Sequence, residues 1–348
     1  MTAKLKTAVL GATGYSGLEL TRILLRHPRL EKPVLLQRCT QTDNNVNLAD
    51  VFPVLSGNGG YPLQALSWSA LKRQGVELLL MATPHEASRS LVPEAMAEGL
   101  RVIDLSGAWR LKQARNRAIY NFQDTDAVSA AELTEKAVYG LPELNGDSIP
   151  CASLVANPGC YATSVILAVA PLLKAGVIDR ERGIISDSKS GVSGAGKDPT
   201  SRTHFVSVAD NLSAYAVFNH RHLGEMLEQL NLQESELTFT PHLLPIPRGI
   251  LSTVYVNLDH PMQSSEVESC LRSFYSGKPW VRIFATPQLP QIQFSLHTNY
   301  CDLGFCLAED KRRLVLVSCV DNLLKGAAGQ AVQNMNLMYG WKEEEGLQ

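Results

Sequence analysis

Apolar residues in the first third of the chain form short runs that alternate with longer segments of helical spacing. Four runs predict buried strands, at 6–10, 34–37, 76–82 and 101–105. Two segments between them, 18–26 and 86–98, repeat apolar residues at the period of a helix. Because strands that alternate with helices indicate parallel βαβ units, this part predicts an α/β, doubly wound parallel sheet.

The pattern changes near residue 150. A short strand is predicted at 153–156, then a tight turn and a helix over 161–174. Strand-like runs follow at 183–188, 237–244, 251–258, 281–285 and 314–320, with few helices between them. They predict a second, α+β domain with a mixed or antiparallel sheet. The last helical segment is predicted over 324–338.

Composition restricts the class of protein. The 348 residues are 45% hydrophobic and 19% charged, as in a globular chain of about two domains. Thirty-two basic and 34 acidic residues leave a formal charge of -2, which gives no electrostatic reason to expect nucleic acid or an anionic membrane as partner. No apolar run approaches the ~18 residues of a membrane span, so we expect a soluble cytoplasmic protein. The seven cysteines are odd in number and include no CxxC pair, which argues against a disulfide scaffold or a zinc site.

A glycine loop, GATGYSG at 11–17, lies between the first predicted strand and the first predicted helix. A dinucleotide fingerprint occupies this position, where glycines let the backbone approach a pyrophosphate and the helix N-terminus offers free N–H groups. The spacing is GxxGxxG instead of GxGxxG, and the alternative is a glycine-rich turn without a ligand.

The end of the second predicted strand indicates which cofactor binds. NAD-binding proteins usually carry Asp or Glu there, whereas this strand ends in Gln37 and Arg38. Arg38 could pair with a 2′-phosphate, which favours NADP(H) over NAD. The alternative is that Arg38 is a solvated surface residue.

Cys160 differs from the other cysteines because it follows a turn, Asn157-Pro158-Gly159, and precedes a predicted helix. A helix N-terminus lowers the pKa of a thiol and favours the nucleophilic thiolate. A buried structural cysteine is the alternative. Acid or base partners could come from His220 or His222, with Glu225 one helical turn further on. This cluster could instead be a polar helix start, and a metal site lacks a third nearby ligand.

A second glycine-rich stretch, 188–197, follows a predicted strand. Its small residues suit a loop that lies against a flat ring or binds an anion. A flexible surface loop is the alternative.

These motifs together resemble one family over nearly the whole chain, the N-acetyl-γ-glutamyl-phosphate reductases of arginine biosynthesis. The matching segments are GATGYSG (11–17), ATPHEAS (82–88), DLSGAWR (104–110), YGLPELN (139–145), NPGCYAT (157–163), SGVSGAG (190–196), HRHLGE (220–225), PHLLPIPRGIL (241–251) and DNLLKGAAGQAVQNMNLMYG (321–340). DLSGAWR stands where the family usually has DLSADFR, and HRHLGE stands where it usually has HRHxPE. The second difference places Gly instead of Pro at position 224, which loosens the helix start before Glu225.

The resemblance implies NADPH-dependent reduction of N-acetylglutamyl 5-phosphate, an acyl phosphate, to the 5-semialdehyde. Cys160 would form a thioester, His220 would be the acid/base group and Glu225 would orient it. It also implies a Rossmann-like NADP-binding domain, 1–155, completed by the C-terminal helix of 324–348. The catalytic and oligomerisation domain would be 156–323, in a homo-oligomer, either dimer or tetramer.

Other site residues follow from the same resemblance. The cofactor would contact Gly11, Thr13, Gly14, Tyr15, Ser16, Gly17, Arg38, Ser190, Gly191, Gly194 and Asn322. The substrate would contact Arg110, Arg248 and Asn157, although either arginine could instead form a structural ion pair.

Three alternatives to this function stay open. The first is an acyl-phosphate reductase of the aspartate-semialdehyde dehydrogenase type, which has the same domain plan. The second is a lysine-pathway variant whose substrate is attached to a carrier protein. The third is a redox-sensing regulator that binds NADPH without turnover.

Overall fold

The computed structural model describes residues 4–37, 46–56, 60–124 and 126–348. The chain forms two compact units. The first comprises Met1–Lys112, Asn121–Asn157 and Ala328–Gln348, and the second comprises Gln113–Tyr120 and Pro158–Ala327. The chain passes from the first unit to the second within the Asn157-Pro158 turn, directly before Cys160.

The first unit contains a seven-stranded sheet in which all paired strands are parallel. Its strands are β1 (Thr7–Leu10), β2 (Val34–Gln37), β3 (Leu63–Ala65), β4 (Leu78–Met81), β5 (Arg101–Asp104), β6 (Val138–Tyr139) and β7 (Leu154–Ala156). The strand order is β3-β2-β1-β4-β5-β7-β6, so the direction of winding reverses between β1 and β4. In a doubly wound sheet this reversal is where ligands bind.

Every residue of β1 and of β4 is buried. Continuous apolar runs are typical of central parallel strands that are covered on both faces, which is why the sequence pattern predicted them. The four strands predicted in this part are confirmed, each with ends within two residues of the prediction, whereas β3 and β6 were not predicted.

The helices of the described chain include several of one turn. In chain order they are α1 (Tyr15–Leu24), α2 (Leu48–Val51), α3 (Trp68–Gln74), α4 (His85–Ala97), α5 (Ala114–Arg117), α6 (Ala127–Lys136), α7 (Pro142–Asn145), α8 (Cys160–Lys174), α9 (Phe205–Val208), α10 (Leu223–Leu230), α11 (Ser264–Phe274), α12 (Ile292–Ser295) and α13 (Ala328–Met338). In the first unit, α13 packs against α1 and β5. Within the ranges that the structure describes, no helix is long and apolar enough to cross a membrane.

The second unit contains a mixed seven-stranded sheet, as the sequence predicted. Its strands are β8 (Ile184–Gly191), β9 (Ser213–Ala214), β10 (Leu237–Leu244), β11 (Ile250–Asn257), β12 (Val281–Ile283), β13 (Cys301–Leu307) and β14 (Arg313–Val320). They lie in the order β12-β13-β14-β11-β8-β10-β9. The β8–β10 and β12–β13 pairs are parallel and the other neighbours are antiparallel. Strands β9 and β13 were not predicted.

Helix α8 covers one face of this sheet and packs against β11 and β14. Their contact is made partly by small buried hydroxyls: Ser164 Oγ on α8 lies 2.9 Å from Ser252 Oγ and 3.0 Å from Ser318 Oγ. Ser188 on β8 adds a 2.7 Å hydrogen bond to Ser252. These bonds satisfy hydroxyls that would otherwise be buried without partners, and so fix α8 on the sheet.

The last helix begins later than predicted. The apolar pattern predicted a helix from Leu324, but α13 begins at Ala328 because the preceding residues form turns around Asp321. The Asp321 carboxylate accepts the N–H groups of Leu323 (2.8 Å) and Leu324 (3.2 Å), and its carbonyl accepts that of Gly326 (2.9 Å). A short acidic side chain that captures local N–H groups competes with helix formation.

Candidate active site

The glycine loop of the first unit follows β1 at the point where the winding reverses. Gly11 has a φ of +93°, and a Cβ there would overlap the carbonyl of Ala82. A Cβ on Gly17 would overlap the carbonyl of Gly11. A Cβ on Gly14 would meet only the Gly11 carbonyl oxygen, at an ordinary 3.6 Å. The fold therefore requires glycine at 11 and 17, whereas glycine at 14 keeps clear the space that the fingerprint reserves for a pyrophosphate.

Helix α1 begins at Tyr15, with Gly14 as its N-cap, and its first turn carries no acidic side chain. Its N-terminal N–H groups and partial positive charge therefore favour an anion. Thr13 and Ser16 are half-buried beside this helix end, and Tyr15 is 38% exposed. The predicted pyrophosphate residues thus come together. Arg38, on which the choice of NADP(H) depended, lies outside the described residues.

In the second unit, Cys160 is the first residue of α8 and is half-buried. The turn before it is fixed by Glu225, a fully buried residue whose Oε2 accepts the N–H of Gly159 at 2.9 Å. Gly326 closes the other side, because a Cβ there would lie 2.6 Å from the Cβ of Cys160. The helix N-terminus favours the thiolate form of such a cysteine.

His220 is enclosed by aromatic rings. Its ring centre lies 5.4 Å from those of Tyr161 and Phe239, and 5.6 Å from that of Tyr215, all in edge-to-face geometry. The pKa of His220 is lowered from 6.5 to about 2, mainly by burial and also by the charges of His222 and Arg221, against an opposing effect of Glu225. His220 is therefore a neutral imidazole at ordinary pH.

One hydrogen bond identifies the tautomer of this imidazole. The backbone N–H of His222 donates to Nδ1 of His220 at 3.1 Å. Since a backbone N–H can only donate, Nδ1 is an acceptor and the proton of the neutral ring is on Nε2. His220 can therefore donate a hydrogen bond from Nε2, but it can accept a proton from a thiol only by becoming the imidazolium that burial disfavours.

Cys160, His220 and His222 line one cavity of about 450 Å³ within the second unit. The other lining residues are Tyr161, Ser190, Gly191, Gly194, Ala195, Thr200, Ser201, Arg202, Thr203, Tyr215, Arg221 and Leu243. A cavity of this size suits a small ligand. None of the described residues that line it is Asp or Glu.

Three of the predicted cofactor residues, Ser190, Gly191 and Gly194, line this cavity beside the end of β8. Asn322, another predicted cofactor residue of this unit, does not line the cavity and makes structural hydrogen bonds. Its Oδ1 accepts the N–H of Gly249 at 2.8 Å and its Nδ2 donates to Ser193 Oγ at 2.9 Å. Asn322 thus connects the loop that follows β8, which lines the cavity, to the turn that precedes β11.

The predicted substrate residues of the first unit bind each other. Arg110 is buried, and its Nε donates to the carbonyl of Asn157 while its Nη2 donates to that of Leu105, each at 2.7 Å. The side chain of Asn157 accepts a hydrogen bond from Asn334 at 3.0 Å. In the second unit, Arg248 pairs with the fully buried Asp321 at 3.0 Å. The substrate roles of Arg110, Asn157 and Arg248 stay predictions, and these contacts are structural.

Two arginines that the sequence did not single out, Arg202 and Arg221, line the cavity together with Tyr215. Arg221 lies within the HRH motif, which could have drawn attention to it, whereas Arg202 lies in a polar segment without any signal. Burial raises the pKa of Tyr215 to about 12, so its hydroxyl stays protonated. In the part of the chain that the structure describes, no three His, Cys, Asp or Glu side chains are grouped to bind a metal ion.

Two family models match the chain, one for each part of the fold. The semialdehyde dehydrogenase NAD binding domain matches residues 6–152, and the semialdehyde dehydrogenase dimerisation domain matches residues 160–322. Aspartate semialdehyde dehydrogenase II of Vibrio cholerae, solved with ASA, has a TM-score of 0.73 at 19% identity, covering 97% of this chain and 98% of that one. The enzyme of Candida albicans, solved with NADP, has a TM-score of 0.71 at 16% identity, with the same coverage. The fold is thus that of the semialdehyde dehydrogenases.

Relatives of higher identity narrow this class. The N-acetyl-gamma-glutamyl-phosphate reductase of Desulfotalea psychrophila is 42% identical over 350 residues, covering 99% of this chain and 98% of the relative. The reductase of the same name from Pelotomaculum thermopropionicum is 43% identical over 346 residues, covering 98% of this chain and 97% of the relative. The chain belongs to the N-acetyl-gamma-glutamyl-phosphate reductase family, and the resemblance seen in the sequence motifs is confirmed.

Proposed function

We propose that this chain reduces N-acetyl-L-glutamyl 5-phosphate with NADPH to N-acetyl-L-glutamate 5-semialdehyde and phosphate, as a step of arginine biosynthesis. One observation carries the chemistry: Cys160 begins α8 and opens, together with His220, into a cavity of about 450 Å³. Family membership carries the choice of substrate.

The Cys160 thiolate attacks the acyl carbon, phosphate leaves, and a thioester forms on Sγ. A thioester accepts hydride more readily than a carboxylate does, so the difficult reduction is divided into two easier steps. The glycine loop of 11–17 would hold NADPH, which would supply the hydride when bound. The resulting hemithioacetal collapses to the aldehyde and releases the thiolate of Cys160.

His220 supports both steps as a hydrogen-bond donor. Negative charge develops on the substrate carbonyl oxygen when sulfur attacks, and again when hydride arrives. A neutral Nε2–H that donates a hydrogen bond to this oxygen stabilises that charge. Of the predicted acid/base role, only donation from His220 is then required, and His220 does not need to accept a proton. Glu225 acts on the same site through the backbone, because it fixes the N–H of Gly159 in the turn before Cys160.

The experiment measures the reverse reaction, NADPH formation from N-acetylglutamate 5-semialdehyde, NADP+ and phosphate. We expect turnover by the wild type and a loss of about 10³ or more in Cys160→Ala, which corresponds to about 4 kcal/mol or more. Cys151→Ala, which alters an exposed cysteine of the first unit, is the matched control and should keep the wild-type rate.

Equal rates in the wild type and Cys160→Ala would make this cysteine structural. Turnover with aspartate semialdehyde would favour a reductase of the aspartate-semialdehyde dehydrogenase type. Turnover only with a carrier-linked aldehyde would favour the lysine-pathway variant. NADPH binding without turnover of any aldehyde would favour the regulator.

We propose further that the chain acts as a homo-oligomer through the second unit. The sheet face opposite α8 leaves Ile185 49% exposed and Tyr255 44% exposed, and these residues are register partners on β8 and β11. The matching family model is described as a dimerisation domain. Sedimentation equilibrium of the wild type and of Tyr255→Glu tests this, since a charge on a buried contact face should favour the monomer.

A further inference from the structure

Residues 341–348 follow α13 in the first unit and form no regular secondary structure; we call them the strap. The strap packs on His27, the residue that ends the turn after α1. The Trp341 ring centre lies 5.4 Å from that of His27. Gly346, at a φ of +74°, lies directly against the same ring, because a Cβ there would be 2.3 Å from it. One imidazole is therefore in contact with the strap at its start and near its end.

His27 is buried, and both of its ring nitrogens are used. Nδ1 accepts the backbone N–H of Arg29 at 3.3 Å, and Nε2 lies 3.0 Å from Oδ1 of Asn336, in the last turn of α13. Since a backbone N–H can only donate, the neutral ring has its proton on Nε2 and donates it to Asn336. The ring makes both bonds only in this one neutral form.

The carboxamide of Asn336 extends these contacts into the strap. While its oxygen accepts from His27, its Nδ2 donates to the carbonyls of Glu343 at 3.2 Å and Glu345 at 2.9 Å. The backbone N–H of Trp341 donates to the carbonyl of Asn336 at 2.8 Å. A change at His27 therefore reaches the strap through Asn336 as well as by direct contact.

Protonation of His27 is incompatible with this arrangement. A proton on Nδ1 would face the N–H of Arg29, so that two donors would meet without an acceptor. Burial lowers the pKa of His27 and the charge of Arg29 also lowers it, whereas Asn336 and Glu345 act in the opposite direction. Because the folded-state pKa is lowered, the closed strap has its full stability above pH 6.5 and loses it as pH falls through that value.

We propose that the strap is a pH-sensitive element of the cofactor-binding unit, closed on neutral His27 and opened when this ring is protonated. The N–H of His27 donates to the carbonyl of Leu24, the last residue of α1, at 3.2 Å. Opening therefore frees one end of α1, whose other end is the predicted pyrophosphate site.

A coupling to the cofactor follows, and this step rests on the proposed function. If α1 is less ordered when the strap is open, binding of NADP(H) must also order it, which weakens the affinity. Linkage requires the converse, so bound NADP(H) favours the closed strap.

Hydrogen exchange of the full chain without cofactor tests the strap itself. Protection factors of 341–348 are measured by mass spectrometry at pH 7.5 and 5.0, which corrects for the chemical effect of pH. In His27→Gln the carboxamide can accept from Arg29 and donate to Asn336 but does not titrate. We expect protection to fall about fivefold or more at pH 5.0 in the wild type, and less than about twofold in His27→Gln. His260→Gln, which alters an exposed histidine of the second unit, is the control and should behave as the wild type.

Glu345→Gln gives an independent readout in a chain that keeps His27. It removes the 2.7 Å ion pair with Arg29, so protection of 341–348 should be below that of the wild type at both pH values. Unchanged protection in Glu345→Gln, no fall in the wild type, or an equal fall in His27→Gln would each overturn the proposed strap.

Calorimetric titration with NADP+ at the two pH values tests the coupling. We expect the acid loss of affinity to be about threefold greater in the wild type than in His27→Gln, a comparison in which protonation of the cofactor itself cancels. Equal losses would overturn the coupling. Absence of NADP+ binding at either pH would instead overturn the proposed function, while the exchange result would still decide the strap.

Discussion

His220 should stay neutral throughout catalysis, and its replacement tests this directly. In His220→Gln the carboxamide N–H₂ can donate a hydrogen bond but cannot act as a base near neutral pH. In His220→Ala the donor is lost. Removing one donor to a developing oxyanion lowers kcat about 10²–10³-fold. We therefore expect a loss of that size in the alanine variant and a clearly smaller loss in the glutamine variant.

The pH profile gives an independent readout. The pKa of about 2 lies roughly 4.5 units below the ordinary value of 6.5, a difference equivalent to about 6 kcal/mol against the imidazolium. The kcat of the wild type should therefore show no limb from His220 between pH 5 and 9, and His220→Gln should have a profile of the same shape. A wild-type limb near pH 6–7 that disappears in His220→Gln would refute the reasoning and make His220 a titrating base.

The same shift predicts a change in stability with pH. Because the folded-state pKa is lowered, the unfolded chain binds more protons below pH 6.5, and the fold loses stability as pH falls through that value. For this one ring the loss is about 2 kcal/mol at pH 5. Urea unfolding at pH 7.5 and pH 5 should therefore show a smaller acid destabilisation in His220→Gln than in the wild type. Equal acid destabilisation would contradict a neutral His220.

Four further variants test packing in the two units. Gly14→Ala should keep the wild-type Tm but bind NADPH more weakly in a fluorescence titration, whereas Gly17→Ala, which overlaps a carbonyl within the loop, should lower Tm. Gly326→Ala should slow alkylation of Cys160 by iodoacetamide, because the new methyl group would lie 2.6 Å from the cysteine Cβ; an unchanged alkylation rate would contradict this packing. Ser252→Ala removes the acceptor of two buried hydroxyls and should lower the free energy of unfolding by about 2 kcal/mol in urea titrations.

The sequence predicted those parts of the fold whose signal is local. The runs at β1 and β4 are apolar without interruption because both faces of these strands are covered. The start of α8, predicted at Tyr161 and found at Cys160, follows from a turn that contains Pro and Gly directly before an apolar helix. The glycine loop was predicted by its place between strand and helix, and the structure adds the separate reason for each glycine.

Strand β13 shows what local patterns miss. It contains Asp302 and Gly304, residue types that are depleted in strands. Asp302 is buried there because Arg282 pairs with it at 2.6 Å and Ser295 donates to it at 2.7 Å. Gly304 is needed because a Cβ would lie 2.7 Å from Pro290. These partners precede β13 in the chain, by as many as 20 residues for Arg282, so the residues of β13 alone do not contain the reason for its conformation.

The same distinction applies within the active site. Three separate motifs converge on the first turn of α8: the turn itself supplies Gly159, HRHLGE supplies His222 and Glu225, and the segment before α13 supplies Gly326. A Cβ on Gly159 would overlap the ring of His222, so the short spacing of that turn and the histidine pair depend on each other. These three motifs are separate in the sequence, and each contributes at least one residue that positions the same cysteine.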